Sequence, residues 1–424
     1  MVKHSDASEI INLRNALVDK LKSIGCIRSQ NVEEAFRSVP RHIFVPGVEL
    51  EKIYSDDSIP TKYIDGKLVS SSSQPAIMAI MLEQLELQPG HRVLEIGAGT
   101  GYNAGLLQHL VGDSGLVVTV DIDEDIVGSA RDYLKSVGLD SVCLVCGDGG
   151  LGCADHMPYD RIILTVGAWD IIPAWLNQLK PSGRLLIPLE INDGVQKSIA
   201  FERKNNYLES VSVVDCGFMA LRGAFAKPQD SLPPISIGPE PGMRISVKAG
   251  IKVIGDEIYK LLSGPSEDRS TGVRAYPEEV FFGGLSLWLS LREPDLCSLT
   301  AEGQSADSEI MPCFLAIQSI QKLCVTGGLL DEKGLCVFVP TAGQDSSGEQ
   351  SDSAQPIELF VRIYGEGTRL AERLIEQVRA WDTAGRPSSK GLRVRIYPRD
   401  TEYTASPDEY IIEKKWTKIV LDWV

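Results

Sequence analysis

Ten residues, Val93–Tyr102 (VLEIGAGTGY), place a carboxylate and three glycines at alternate positions, Glu95, Gly97, Gly99 and Gly101, where an apolar run ends. Glycines at this spacing let the backbone turn tightly and lie against a ligand, with a helix N-terminus beside it. A dinucleotide site uses G-x-G-x-x-G, whose third glycine packs helix on strand around a pyrophosphate. Here the spacing differs, and Glu95 is expected close to the turn. A carboxylate repels a pyrophosphate and suits a cationic, amino-bearing ligand. S-adenosylmethionine, with its sulfonium and α-ammonium, has that chemistry. Asp121 follows the glycines by about twenty residues, where a carboxylate can take both hydroxyls of a ribose. Asp148, in CGDGG, is placed to accept from an adenine amino group. Either acid alone reads equally well as a helix cap or a solvated loop residue. The three together, in strand-end order, point to a nucleoside-bearing cofactor.

The second group with chemical potential is a run of hydroxyls. Leu68–Met78 reads LVSSSSQPAIM, and Pro75 sits where a helix tolerates proline, in its first turn. The run therefore reads as a loop leading into a helix N-terminus. Other reactive residues form no constellation. The five histidines lack ligand spacing, so no metal site is expected. The nine cysteines, scattered from Cys26 to Cys336, read as reduced thiols. Cys143 and Cys146 form a C-x-x-C within a strand, where neighbours three apart face opposite sides, and are expected as buried core thiols.

The elements that must position these groups follow from the hydrophobic pattern. Two helices precede Pro46, the second stopped by Pro40. From Arg92 short apolar strands alternate with helices, as in a parallel sheet covered on both faces. This α/β region runs to about Phe225. A Pro/Gly-rich linker, KPQDSLPPISIGPEPG, follows it. Strands such as IELFVRIYG, LRVRIYP and TKIVLDWV, with the helix TRLAERLIEQVRAWD, then read as α+β, and IELFVRIYG is long and apolar enough to offer an edge to a peptide by strand addition. The expected organisation is a catalytic domain over 1–226, a linker over 227–242 and a C-terminal α+β domain over 243–424. Within the last, AGQDSSGEQSDSAQ (342–355) reads as a mobile loop.

Length and charge bound the rest. A chain of 424 residues suits two or three domains. A net charge of −16 without any basic run argues against nucleic-acid binding. No apolar stretch is long enough for a membrane span, and the N-terminus lacks a signal-peptide core. A soluble, cytoplasmic protein without membrane partner is the expectation; oligomeric state is not legible.

In order along the chain, AFRSVPRHIFVP, SQP, VLEIGAGTGYNAGLL, GDGGLG, YDRIILT and LKPSGRLLIP resemble the protein-L-isoaspartate O-methyltransferases over roughly residues 10–226. The resemblance implies a Rossmann-like class I methyltransferase fold, S-adenosylmethionine as donor and a peptide side-chain carboxylate as acceptor. It implies cofactor contacts from Glu95, Gly97, Gly99, Gly101, Asp121 and Asp148. The family carries T-[IV]-S-x-P before its first core helix, with the serine facing the acceptor. The matching residues are Ser71, Ser72, Ser73, Gln74 and Pro75, so Ser73, aided by Ser72, inherits the catalytic position and Ser71 and Gln74 line it. Arg222, in MALRG, is a candidate clamp on the substrate. Ser72 stands where the family has an apolar residue, and Ser71 where it has threonine. The C-terminal extension, with GFMALRGAFA at the junction, is similar to the longer "FxLD system" methyltransferases that accompany ribosomally made, modified peptides such as lanthipeptides and graspetides. That likeness implies a cyclised precursor peptide as partner, its aspartate esterified and then passing to aspartimide or isoaspartate. The alternative is repair of damaged isoaspartyl proteins.

Overall fold

The computed structural model describes residues 7–192, 194–228, 234–239, 242–248, 251–317, 322–340 and 355–424. Helices α1 (Ala7–Ser23) and α2 (Gln30–Ser38) bury Leu17, Leu21, Val32 and Phe36 against the catalytic core, and a single turn α3 (Leu50–Ile53) follows. A hairpin of β1 (Ile59–Ile64) and β2 (Lys67–Ser72) leads into α4 (Pro75–Leu85). Ser70 to Ser72 thus end a paired strand, with Ser71 opposite Pro60 and Ser72 opposite Ile59, and Ser73 lies just beyond it. Pairing with β1 satisfies its backbone and gives its side chains alternate directions.

The alternating region folds as its pattern predicts: β3 (Arg92–Ile96), α5 (Tyr102–Val111), β4 (Leu116–Asp121), α6 (Glu124–Ser136), β5 (Cys143–Cys146), β6 (Tyr159–Leu164), α7 (Pro173–Gln178), β7 (Leu179–Asn192), β8 (Val195–Lys204) and β9 (Tyr207–Asp215). Strands β5, β4, β3, β6 and β7 are parallel neighbours, and β8 and β9 continue the sheet antiparallel. Val93, Leu94 and Ile96 on the central strand are all buried, as a strand covered on both faces requires.

A second, antiparallel sheet is built from β10 (Ile235–Ser236), β11 (Met243–Val247), β12 (Ser266–Ala275), β13 (Leu296–Glu302), β14 (Leu315–Ile317), β15 (Leu323–Leu330), β16 (Gly334–Val339) and β17 (Ile357–Gly365). Helices α8 (Gly255–Leu262), α9 (Pro277–Phe281), α10 (Gly284–Arg292) and α11 (Thr368–Thr383) accompany it. In α11 Leu370, Leu374, Val378 and Trp381 form the buried stripe that their spacing predicts. No helix among the described residues is long and apolar enough to cross a membrane.

Four expectations are corrected here. The division at 243–424 does not hold, because β18 (Leu392–Pro398), β19 (Tyr410–Glu413) and β20 (Thr417–Trp423) return to the first sheet, β18 pairing with β9. Their apolar residues Leu392, Val394, Ile396, Ile419 and Leu421 share one core with Leu94 and Ile162. Part of the expected linker is also structured, since Ile235–Ser236 pairs with β11. IELFVRIYG is β17, flanked by β16 and β12 and so not an edge. The cysteines are not uniformly free: Cys313 and Cys324 form a disulfide across the β14–β15 hairpin, and Cys146 is exposed rather than buried. Of the polar segment 342–355, all but Gln355 lies outside the described residues.

Candidate active site

A cavity opens at the carboxyl ends of β3, β4 and β6. Ligands enter open parallel sheets at this end, where the loops diverge. One wall is the serine strand, with Ser71, Ser72 and Ser73; the facing wall is Gly97 to Gly99, Asp121 and Thr165. Phe218 to Arg222 close the rim.

Gly97 is held at φ +102°, and a Cβ there would lie 2.6 Å from Thr165 Oγ1. Only glycine allows this approach, and its amide is tied to Val120 O at 2.8 Å. Gly99 lies under the serine strand, with Ser71 O 3.7 Å from the position its Cβ would take. The Asp121 carboxylate accepts from Gly99 N–H at 3.0 Å and Asp123 N–H at 3.3 Å. Burial pushes its pKa upward against those two hydrogen bonds. The carboxylate therefore faces the cavity pre-oriented on the glycine turn.

Not every expected residue meets the cavity. Gly101 starts α5 and packs on Ala130 instead. Glu95 is fully buried, accepting from Asn103 Nδ2 at 2.7 Å and Thr119 Oγ1 at 2.6 Å. It pairs in register with Thr119 of β4, so the two side chains share one face of the sheet, under α5. Asp148 accepts from Gly150 N–H at 2.9 Å and Ala224 N–H at 2.7 Å, and it is Gly149 that reaches the cavity. The Gln74 amide turns away to Asp56. Arg222 does line the cavity, but its guanidinium is paired with Asp123 at 2.6 Å, which holds the Asp123 carboxyl below its ordinary range.

Burial drives the Glu95 pKa up to about 7, the two hydrogen bonds only partly opposing it. A carboxyl raised in the folded state has its full stability at low pH and loses it as pH rises from its unfolded value through the folded one. Glu95→Gln keeps the contacts without the charge. It is expected to melt like the parent near pH 5 and to be more stable by about 2–3 kcal/mol near pH 8. Cofactor affinity should not change. A weakened affinity in calorimetry would restore Glu95 to the donor site.

Ser72 carries the clearest sign of an absent ligand. It is 3% exposed, it lines the cavity, and its hydroxyl has no hydrogen-bond partner. Buried polar groups are nearly always paired, so this hydroxyl fits an oxygen-bearing guest. Sequence reasoning missed Arg41, which is wholly buried below the serines. It donates to the carbonyls of Ile53 (2.7 Å), Ser55 (3.3 Å), Asp57 (3.0 Å) and Ser73 (3.0 Å). Its surroundings in VPRHIFVP were visible, but an arginine that binds only carbonyls leaves no spacing signal.

A sequence model of the family "Protein-L-isoaspartate(D-aspartate) O-methyltransferase (PCMT)" matches residues 12–225. The chain belongs to that family. Among curated relatives, a protein-L-isoaspartate O-methyltransferase of Methanopyrus kandleri is 44% identical over 177 residues, 42% of this chain and 76% of that protein. Protein-L-isoaspartate O-methyltransferase 2 of Archaeoglobus fulgidus is 38% identical over 198 residues, 46% of this chain and 87% of that protein. A solved protein-L-isoaspartate O-methyltransferase superposes with a TM-score of 0.49 at 24% identity, over 96% of this chain and 98% of that one. Membership makes the chain an S-adenosylmethionine-dependent carboxyl O-methyltransferase with the class I α/β fold, and its substrates lie among peptides and proteins. The cavity combines a glycine turn with an ordered carboxylate at the β4 end.

Proposed function

We propose that this methyltransferase esterifies an aspartate side chain in a conformationally constrained, ribosomally made peptide, and that the ester then passes to aspartimide or isoaspartate. The observation that carries this reading is the orphaned Ser72 hydroxyl beside Ser73. Two adjacent hydroxyls can hold both oxygens of one carboxylate, or one oxygen and a neighbouring backbone group. That is a more polar acceptor wall than a single serine beside an apolar residue. The reading supports roles for Ser73 and Ser72 on the acceptor, Ser71 and Arg222 at the rim, Gly97 and Gly99 under the methionine end, and Asp121 on the ribose.

When bound, S-adenosylmethionine supplies an electrophilic methyl on a cationic sulfur. A carboxylate of pKa about 4 is already ionised at neutral pH, so the chain need provide no general base. Its residues orient the acceptor and exclude water, and alignment alone can account for much of the rate. Ser73 and Ser72 donate to the carboxylate and fix which oxygen leads. Afterwards the backbone nitrogen following the esterified aspartate attacks the ester carbonyl, losing its proton as methanol leaves. That ring closure belongs to the substrate.

Donor and acceptor roles separate on mutation. Asp121→Ala should weaken S-adenosylmethionine binding by about 1–3 kcal/mol in calorimetry, through loss of charge-assisted hydrogen bonds. Ser73→Ala should leave that affinity intact and lower turnover roughly tenfold to a thousandfold. Ser72→Ala added to it should deepen the loss. Full activity in the double variant would remove the serine strand from the acceptor site.

Repair of isoaspartyl residues is the second reading, favoured by the names of relatives matched over most of their length. Linear peptides that differ only in aspartate or isoaspartate, set against a cyclised peptide, separate the two. Methylation of the linear isoaspartyl peptide alone selects repair. Methylation of aspartate in the constrained peptide selects peptide maturation.

A further inference from the structure

A second cavity, of about 420 Å³, opens on the seam between the two sheets. Its floor is the face of β13 and β15 bearing Leu296, Ser298, Val325 and Gly327, with Ser298 opposite Gly327 in the ladder. Its roof is the α9–α10 junction, including Phe281 and Phe282. Among the described residues no side chain that lines it is charged. The catalytic domain supplies the remaining wall through Val195 and Gln196 of β8 and through Phe218, just after β9, which also lines the active-site cavity. Phe218 is thus common to the two spaces.

Both sides of this seam are held in place. Gln196 accepts from Phe218 N–H at 2.8 Å and donates to Phe218 O at 3.1 Å. Lys197, wholly buried, donates to Phe282 O at 2.9 Å and pairs with Asp215. Burying an ammonium is expensive unless it is fully engaged. Here it ties the rim of the second sheet to the catalytic one. Phe282 nevertheless leaves 48% of its surface exposed, an aromatic ring at an open mouth.

We infer that this cavity receives a bulky apolar side chain of the same peptide whose carboxylate is presented to Ser72 and Ser73. The inference rests on the proposed function and deepens it: the substrate carries an aliphatic or aromatic residue flanking the aspartate. The shared Phe218 gives continuity with the acceptor site, and the uncharged lining sets the chemistry of the guest. It also gives the inserted sheet a task, since neither sheet encloses the space alone.

Gly327→Leu tests this. A Cβ at Gly327 meets nothing nearer than Cys297 O at 3.8 Å, so a side chain can begin there with the backbone unmoved. Peptides that place phenylalanine or alanine at each position flanking the aspartate are assayed for ester formation and, fluorescently labelled, for binding. The full-length protein should prefer phenylalanine at one position by about tenfold or more in kcat/KM. Gly327→Leu should abolish that preference through KM, bringing the phenylalanine peptide to the level of the alanine peptide. Phe282→Ala, at an exposed ring, should weaken it in the same direction. Absence of any phenylalanine preference, or its survival in both variants, overturns the subsite. So does a change in self-association alone, which would assign the cavity to a second copy. Gly327-dependent binding of phenylalanine peptides without methyl transfer would uphold the subsite and sink the proposed reaction.

Discussion

Deletion of residues 392–424 is expected to unfold the catalytic sheet, although every residue lining the active-site cavity precedes them. Strands β18 and β20 bury Leu392, Val394, Ile396, Ile419, Val420 and Leu421. Each such side chain contributes about 1.5–3 kcal/mol by burial, and domains are stable by only about 5–15 kcal/mol. The deletion also uncovers β9 and leaves Asp170 with the Ile171 amide as its donor in place of three. That carboxylate is buried and accepts from Thr417 Oγ1 and from Trp416 N–H at 2.7 Å, across 246 residues of chain. Asp170 shortly follows β6, whose C-terminal extension, Thr165, lines the active-site cavity. The same holds for a chain ending at Ala226, which cannot serve as a minimal enzyme. Circular dichroism melting and cofactor calorimetry check this. A 1–226 fragment that melts cooperatively and binds S-adenosylmethionine would show that the returning strands are dispensable.

That tie explains where sequence reading failed. LRVRIYP and TKIVLDWV are unmistakable strands, and a parallel core before Phe225 was legible from its apolar runs. Strand character says nothing of which sheet a strand joins when a long segment intervenes. The pairing of β18 with β9 joins positions such as Arg395 and Glu209, and only assembled cores choose such partners. The misplacement of IELFVRIYG as an edge has the same origin. Its neighbours β16 and β12 both precede it in sequence, β12 far upstream, so no local pattern marks it as central.

The site was legible to a similar degree. Glycine at positive φ, an acid about twenty residues on, and a serine before Pro75 are local signals, and Gly97, Asp121 and Ser73 do line one cavity. Glu95 misled because Asn103 and Thr119 engage its carboxylate beneath α5, whereas Gly97 lies beyond the end of β3, in the turn that lines the cavity. Asp148 misled because a short acidic side chain at a helical turn caps its own backbone first.

Arg41 carries the second large effect. Its four carbonyl partners come from the chain around α3 and from Ser73, so one guanidinium fixes the acceptor strand to the body of the domain. Burial lowers its pKa only from a very high starting value, so it remains the cation on which those carbonyls depend. Arg41→Ala leaves the carbonyls without a donor and is expected to cost about 3–5 kcal/mol in chemical denaturation. Arg41→Lys keeps the charge, but a single ammonium cannot span the same fan of acceptors and should recover only part of the loss. The functional consequence differs from a general weakening. With Asp121 and the glycine turn untouched, cofactor affinity should persist in the folded fraction, while kcat falls because Ser73 is no longer held over the acceptor. Added ethylguanidinium should then restore turnover in Arg41→Ala and leave Ser73→Ala unaffected. Equal rescue of both variants, or a cofactor affinity that falls with kcat, would mean that Arg41 supports the domain as a whole and does not position the serine.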